Sequence, residues 1–322
     1  MERRDPLVAS RVRSLMIYPK AVRSACLRSS KGRSTSRWHS TATNQHWPSY
    51  FQQVLSSYSK IPGSWISSHQ SPIAEDVEFA DRFLAALANL NYIEEYIIEW
   101  KQSVEAERPF WLPLLLAIWP LYGHNLRVIK LDMMLTTLCD MLGSVTGLDR
   151  VQQLSISCWD FRESEAKDAF ERLATFIIRL SLTLQSLTLS SIGHFNFSWL
   201  YCNLSYFPHL TYLALLLPCD PHHFVDPTAL HHFLRSHHTI EHLKFFWYCS
   251  CQSSLQFESN ATFMSTDDRL NRCFTGITFQ YLHQLDLGHR PTCTRAWGPC
   301  TWCELARSAR TGTTWSDLQL GS

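Results

Sequence analysis

The stretch Leu184-Gln-Ser-Leu-Thr-Leu189 contains the short pattern that decides the fold. Aliphatic residues occupy its first, fourth and sixth positions, and polar residues separate them. Alternation of apolar and polar side chains over the last three positions is typical of a strand with one buried face. The same arrangement of aliphatic or aromatic residues begins at Ile93, Leu126, Val151, Leu184, Leu210, Ile240 and Leu282. We therefore predict a strand at each of these places.

A second apolar register lies upstream of the strand patterns. The positions ten and six residues before each pattern are mostly apolar, as Leu230 and Leu234 are before Ile240. Two apolar positions four residues apart mark the buried face of a helix. Asp226-Pro227 supplies a capping oxygen followed by a proline, which is typical of a helix start. Each unit is therefore predicted to be a helix, a short turn and a strand.

The spacing of the units points to a repeat fold. Most successive patterns begin roughly 25–33 residues apart, close to the roughly 20–29 residues of a leucine-rich repeat, which also has one strand and one helix. Residues 73–290 resemble the irregular leucine-rich-repeat region of fungal F-box-type proteins, through Leu126-Arg-Val-Ile-Lys-Leu131, Leu184-Gln-Ser-Leu-Thr-Leu189 and Phe207-Pro-His-Leu-Thr-Tyr-Leu213. This resemblance implies an α/β solenoid, a horseshoe of about seven helix–strand units with a parallel inner sheet.

Two features depart from the pattern of that family. Leucine-rich repeats place Asn or Cys at the ninth position, whereas this chain has Lys101, Met134, Trp159, Ile192, Pro218, Tyr248 and Arg290 there. We therefore expect the loops to close differently and the horseshoe to be irregular. No F-box precedes the repeats in residues 1–72. The segment Leu112–Ile118 superficially resembles the opening of an F-box helix, and it is either a convex repeat helix or a degenerate adaptor-binding helix.

Charge is divided unevenly along the chain, although its formal net charge is +1. Residues 1–49 contain ten Lys or Arg and two Asp or Glu, are rich in Ser and Thr, and show no sustained apolar period. Such a composition is typical of disorder. We predict a basic, disordered arm over residues 1–46 and a cap or linker over 47–72. The repeat region follows over 73–290, and a poorly ordered tail over 291–322.

The basic arm allows three interpretations. It is a solvated tail, a mitochondrial transit peptide or a nucleic-acid-binding arm. Ser36–Ala42 resembles the Arg-aromatic-Ser/Thr cleavage contexts of fungal presequences, whereas Glu2 and Asp5 lie where a presequence has no acids. We expect a cytoplasmic or nuclear protein that binds no specific nucleic acid, and a mitochondrial location is the alternative.

Signatures of enzymatic chemistry are absent from the sequence. It contains no glycine-rich phosphate-binding motif, no G-x-S-x-G nucleophile motif and no H-E-x-x-H zinc motif. We therefore predict a non-enzymatic protein without a cofactor. The longest apolar run, Phe110–Tyr122, contains two prolines and is shorter than the ~20 residues that a bilayer span needs. We interpret it as a buried helix and expect no membrane span.

Histidine and cysteine clusters are the candidates for a metal site. His289, Cys293, Cys300 and Cys303 include one C-x-x-C pair, which is frequent in zinc sites. The spacing of the other two residues is unusual for zinc, and a poorly ordered tail is the interpretation we favour. Seven histidines crowd one repeat and are interpreted as surface residues, with an adventitious metal patch as the alternative: His222, His223, His231, His232, His237, His238 and His242.

The third, fifth and seventh positions of each strand pattern are expected to point away from the core. In the middle repeats these positions hold small polar residues, whereas the later repeats carry Tyr212, Leu216 and Phe246, with His242 and Lys244 beside them. Large aromatic residues next to polar ground are typical of binding hot spots. We predict that these five residues bind a protein on the concave face of the sheet.

The predicted shape and the missing catalytic motifs together favour a recognition protein. The family resemblance implies a role like that of the substrate-recognition repeats of an F-box ubiquitin-ligase subunit, with a cullin-ligase adaptor as a second candidate partner. We expect a monomer outside such complexes. The alternative is a mitochondrially imported leucine-rich-repeat assembly factor.

Overall fold

The structure is a computed structural model that describes a little over half of the chain. The described residues are 12–19, 72–90, 92–100, 104, 107–143, 145, 147–159, 163–192, 197–218, 226–248 and 272–290. The predicted cap or linker therefore lies outside them except for its last residue, as does the whole of the predicted C-terminal tail. Cys293, Cys300 and Cys303 belong to that tail.

Contacts divide the chain into two compact units, residues 1–127 with 144–150 and residues 128–143 with 151–322. The described elements of the first unit are β1 (Ser14–Ile17), α1 (Pro72–Ala88), β2 (Glu95–Glu99), α2 (Arg108–Leu116), α3 (Ile118–Tyr122) and a 3-10 turn (Gly123–Asn125). Those of the second are β3 (Val128–Met134), α4 (Leu135–Gly143), β4 (Gln153–Trp159), α5 (Glu163–Arg179), β5 (Ser186–Ile192), α6 (Ser198–Asn203), β6 (Tyr212–Pro218), α7 (Pro227–Ser236), β7 (His242–Tyr248) and β8 (Gln284–Arg290).

The eight strands belong to one open, all-parallel sheet in which the spatial order follows the order in the chain. Helices alternate with the strands along the sequence, because a parallel neighbour requires the chain to cross back over the sheet. This arrangement confirms the predicted α/β class with a parallel sheet.

The repeat pattern fixes the register of the second unit. Each strand from β3 to β8 begins at the third position of its pattern and ends at the ninth. The third positions are paired across the sheet, as in Gln153 with Ser186, Ser186 with Tyr212 and Tyr212 with His242. These six strands and β2, which also begins at the third position of its pattern, confirm the seven predicted strands.

The buried side chains lie at the same positions of the pattern in successive strands. From β3 to β7, every residue at the fourth and sixth positions is at most 1% exposed, as Leu187 and Leu189 are in β5. The first positions Val151, Leu184 and Leu210 are also fully buried. Burying an aliphatic side chain of this size contributes roughly 1.5–3 kcal/mol. The alternation of the sequence therefore supplies both the strand conformation and the core.

The helix signals are confirmed where the structure describes them. In α7, Asp226 is the N-cap and accepts a hydrogen bond of 2.9 Å from the backbone N–H of Thr228, with Pro227 at the first helical position. Leu230 and Leu234, at the predicted buried positions, are 0% exposed. The turns before the strands thus lie where the sequence places them.

The apolar run of the first unit forms α2 and α3. Phe110, Trp111, Leu114 and Leu115 are buried, and the hydroxyl of Tyr96 donates to the carbonyl of Leu115 at 3.3 Å. The run is buried as predicted, but it forms two helices that meet at Ala117 instead of one. Among the helices of the described residues, none has the length and hydropathy that a bilayer crossing requires.

One strand lies where the sequence predicts disorder. Ser14–Ile17, inside the arm over residues 1–46, pairs in parallel with β2, and Ile17 is 1% exposed. The signal is present in the sequence, since Val12, Leu15 and Ile17 repeat the first, fourth and sixth positions of the pattern. It is hidden because the interval from Val12 to Ile93 is far longer than that between any other two successive patterns. Residues 1–11 and 20–46 of the arm lie outside those described.

From β3 to β8, the ninth positions of the pattern lie at the ends of the strands, inside the sheet. Met134, Trp159, Pro218 and Tyr248 are the last residues of their strands and have partners in the register of the sheet. An Asn at this position serves loop backbone that has left the sheet. Because the strands here continue to the ninth residue, the sheet itself takes over part of that role.

Candidate functional site

The structure brings the five predicted binding residues together. Tyr212 and Leu216 lie on β6 and are paired in the register with His242 and Phe246 on β7, while Lys244 lies between these two on β7. All five side chains are half-buried, at positions that alternate with the buried core residues. Neighbouring strands are ~4.8 Å apart, so these side chains form one continuous patch.

Polar contacts connect this patch to β8 in a closed circuit, which we call the β6–β8 cluster. The ring centroids of Tyr212 and His242 are 6.4 Å apart, and the ammonium of Lys244 lies 5.8 Å from the centroid of the Tyr212 ring. Lys244 Nζ is 3.3 Å from Asp286 Oδ2, which also accepts a 2.8 Å hydrogen bond from Gln284 Nε2. His242 Nδ1 lies 3.3 Å from Gln284 Oε1 and completes the circuit.

Gln284 and Asp286 are members that the sequence-based prediction leaves out. They occupy the third and fifth positions of the last pattern, opposite His242 and Lys244 in the register. Their pairing with two predicted site residues is the signal that identifies Gln284 and Asp286 as members of the cluster. It requires the register between β7 and β8, whose first residues, His242 and Gln284, are 42 residues apart. The sequence pattern gives both residues as outward positions of the last strand, but not their contacts with His242 and Lys244.

The contacts of the cluster orient its side chains more than they stabilise the fold. The side chains of Lys244 and Asp286 are 32% and 36% exposed, and ion pairs of this kind contribute about 0–1 kcal/mol. The cluster therefore presents fixed donors, acceptors and an aromatic ring, and its formal charges balance.

The outer face of the sheet, which points away from the core, differs between β4–β5 and β6–β7. On β4 and β5 the third, fifth and seventh positions are mostly hydroxyl residues: Ser155, Ser157, Ser186, Thr188 and Ser190. On β6 and β7 they are larger, except for Ala214, which is 4% exposed. Leu216 and Phe246 add apolar surface at the seventh position. A strip of small hydroxyl side chains on β4 and β5, the hydroxyl strip, thus borders a patch of larger aromatic and apolar side chains on β6 and β7.

The interpretation of the crowded histidines as surface residues is wrong for His237, which is fully buried. Its Nδ1 lies 2.6 Å from the carbonyl oxygen of Phe233 and must donate, whereas its Nε2 accepts from the backbone N–H of Phe207 at 3.1 Å. This assigns the neutral Nδ1–H tautomer. Burial lowers the pKa of His237, with a smaller contribution from His238, against the raising effect of hydrogen bonds to the carbonyls of Phe233 and Ser205.

His237 forms one of several polar bridges between neighbouring repeats, and the two formed by Thr183 and Thr239 are part-buried. The hydroxyl of Thr183 donates to the carbonyl of Val151, and that of Thr239 donates to the carbonyl of Leu210, each at 2.8 Å. Both threonines immediately precede the first position of their pattern and reach the first position of the preceding one. The bridges join the turns that lead into the strands.

The structure adds little to the metal candidates. His231 is half-buried and His232 is exposed, while His289 lies in β8. Among the described residues, no three His, Cys, Asp or Glu side chains come together as metal ligands would. Burial raises the pKa of the Cys139 and Cys273 thiols to about 12, and raises the pKa of Cys158 as well. These three thiols are buried and protonated, as small core residues are.

Comparison with known proteins gives no family for this chain. No protein-family model matches it, and no curated protein matches it either. The class of protein that the structure defines is an α/β protein with one parallel sheet, whose strands share a single sequence pattern. Functional inference therefore rests on the β6–β8 cluster and its surroundings.

Proposed function

We propose that this chain is a non-enzymatic scaffold that recognises another protein through the outer face of β6, β7 and β8. The observation that carries the proposal is the β6–β8 cluster, in which Tyr212 is held by His242 and by Lys244. Binding hot spots are enriched in tyrosine, and a side chain that is already held in place loses little conformational entropy when the partner arrives.

The surroundings of the cluster favour a protein partner. Leu216 and Phe246 lie side by side next to the cluster and offer apolar area. Protein interfaces combine an apolar, aromatic centre with a polar rim that carries hydrogen bonds. The hydroxyl strip of β4 and β5 supplies that rim and leaves room for a partner's backbone to approach the sheet.

We extend the proposal to the finer fold, a leucine-rich-repeat-like solenoid with the sheet on the inner curve of a horseshoe. Its support is the common register of β3 to β8, in which equivalent pattern positions are paired from strand to strand. Repeats that place equivalent residues in rows are typical of solenoids. In such a solenoid the cluster lies on the concave face.

The proposed role resembles that of the substrate-recognition repeats of an F-box ubiquitin-ligase subunit. Leu114 and Leu115 lie in the segment that resembles an F-box helix, and both are fully buried in the first unit. This favours a repeat helix over an adaptor-binding helix for that segment. A cullin-ligase adaptor remains a second candidate partner, but we assign it no binding surface on this chain.

The mitochondrial alternative predicts cleavage after β1. A cut within Ser36–Ala42 would remove Ile17, which is 1% exposed against the first unit. The loss of a buried strand residue favours a retained arm and, with it, the proposed cytoplasmic or nuclear location. Determination of the N-terminal residue of the chain isolated from cells distinguishes the two, since a start near residues 37–45 would support import.

The test of recognition is affinity purification of the tagged full chain from cell extract, with bound proteins identified by mass spectrometry. The variant Tyr212→Ala/Phe246→Ala should lose its principal partner, because truncating one anchor typically costs ~2 kcal/mol, roughly 30-fold in Kd. Its melting temperature should change little, because both side chains are half-buried on the outer face.

Ser186→Ala is the matched control, since Ser186 is paired with Tyr212 in the register of the sheet. This variant should keep every partner. Retention of partners by the double variant together with their loss in Ser186→Ala would contradict the site assignment. Identical capture by all three chains would move recognition to another surface.

A further inference from the structure

The first unit holds its own N-terminal segment as an added strand. The four residues of β1 pair in parallel with β2, in a register that joins Ser14 to Glu95 and Ile17 to Ile98. The carbonyl of Arg13 accepts hydrogen bonds from the backbone N–H groups of Glu94 and Glu95, at 2.8 and 3.0 Å. An edge strand that receives an extended segment in this way uses the geometry of strand addition.

Side chains at both ends of β1 match acidic residues along β2. The guanidinium of Arg13 lies 3.1 Å from Glu94 Oε2, and the hydroxyl of Tyr18 donates to Glu99 Oε1 at 3.4 Å. Between them, Ile17 is the buried anchor. The edge therefore selects a segment with a basic residue, then alternating aliphatic residues, then a hydroxyl donor.

The attachment of β1 to β2 is specific, but it contributes little free energy. Arg13 and Glu94 are 81 residues apart in the sequence, so a long loop must be closed before they meet. The Arg13 side chain is 69% exposed, and such ion pairs contribute about 0–1 kcal/mol. Short segments with few buried contacts open more readily than the core. The edge of β2 is therefore accessible when β1 detaches.

We infer that the edge of β2 is a strand-acceptor site for an extended basic–aliphatic segment of a partner protein, and that residues 13–18 occupy it in cis. The segment pairs in parallel with β2, which places its basic residue at Glu94 and its hydroxyl donor at Glu99. Arg127 Nε lies 3.9 Å from Glu94 Oε1 and leaves the other oxygen to the incoming base. The site is separate from the β6–β8 cluster, and its existence requires nothing of the proposed function.

The test uses a fluorescein-labelled synthetic peptide of residues 12–19 and fluorescence anisotropy with the full chain. The Ile17→Asp chain should bind the peptide at least about tenfold more tightly than the parent chain, because the parent's tethered strand competes at a high effective concentration. The same peptide with Ile17→Asp should bind neither chain. Equal affinity of the unmodified peptide for the two chains would overturn the inference.

A charge exchange tests the recognition of Glu94. The Arg13→Glu peptide should bind the Ile17→Asp chain several-fold more weakly than the unmodified peptide does, and it should regain affinity when that chain also carries Glu94→Arg. Binding that ignores both charge changes would overturn the assigned register. If circular dichroism shows that the Ile17→Asp chain is unfolded, the Arg13→Glu chain replaces it. That change is at an exposed side chain, and a smaller preference, a few-fold over the parent chain, is required of it.

Discussion

The junctions between β1 and β2 and between β6 and β7 join neighbouring strands in two different ways. Four residues of β1 pair with β2, whereas all seven residues of β6 pair with β7. The second junction also has polar bridges, a part-buried one from Thr239 to Leu210 and a buried one between His237 and Phe207. The first is completed by Arg13 and Glu94 at the surface. The same strand pattern thus specifies the register at both, while the turns determine how firmly the strands are held.

The two junctions also differ in how far apart the joined residues lie along the sequence. The bridge from Thr239 to Leu210 closes 29 residues, and the ion pair of Arg13 with Glu94 closes 81. The longer loop costs roughly 0.9 kcal/mol more in closure entropy. A junction that is shorter, more exposed and more distant in sequence is expected to open first, and the following predictions test this order.

The largest effect is expected in the centre of the second unit. Leu187 in β5 is 0% exposed and has strands on both sides. Leu187→Asp buries an unpaired charge and should lower the free energy of unfolding by more than about 4 kcal/mol. Thermal melts followed by circular dichroism measure it. Gln153→Asp, at an exposed outward position of β4, is the control and should melt like the parent.

An unchanged melt of the Leu187→Asp chain would contradict the assignment of this position to the core. It would also remove the reason for pairing equivalent pattern positions across the sheet, since Leu187 is opposite Leu154 and Leu213 in the register.

A smaller effect is expected at the buried residue of β1. Ile17 and Leu187 are equally buried, at 1% and 0% exposure. Leu187→Ala should cost about 2–5 kcal/mol. Ile17→Ala should cost no more than about 2 kcal/mol, because its cost cannot exceed the free energy with which β1 docks. Urea unfolding of both variants measures the difference, and amide exchange along β2 should accelerate in the Ile17→Ala chain alone.

Equal costs for these two variants would show that β1 is as firmly held as β5. A chain that lacks residues 1–19 gives the limiting case. It should remain folded and lose about as much stability as Ile17→Ala, whereas a fully disordered arm over residues 1–46 predicts no loss.

Most of the fold is predictable from the sequence because its signals are local. Six consecutive residues such as Leu184–Leu189 specify a strand and the face that it buries. The outward direction of Tyr212 follows from the same period of two. The contacts of His242 with Gln284, and the burial of His237, depend on side chains that meet across different repeats. Such meetings depend on the lengths of the intervening turns, and no local pattern in this sequence encodes them.

The mildest effect is expected from protonation of His237, the buried bridge at the firm junction. The pKa of His237 is lowered from 6.5 in the folded chain, first by burial. As the pH falls below about 6.5, the unfolded chain therefore takes up a proton before the folded chain does. Stability is then lost as the pH falls from about 6.5 towards the lowered pKa, by at most about 1.4 kcal/mol per pH unit for one group.

The physical cause of this loss is the hydrogen-bond pattern. A proton on Nε2 would face the N–H of Phe207, which now donates to that atom at 3.1 Å, so the bridge between the two repeats would break. Urea unfolding of the parent chain at pH 7.5, 6.5 and 5.5 measures the slope. His238→Gln, a change at the exposed neighbouring histidine, should keep it, whereas His237→Asn should flatten it at a lower stability throughout. If the pH dependence of stability is kept in His237→Asn and lost in His238→Gln, the titrating group is the exposed histidine. The buried bridge would then not explain the stability of this junction.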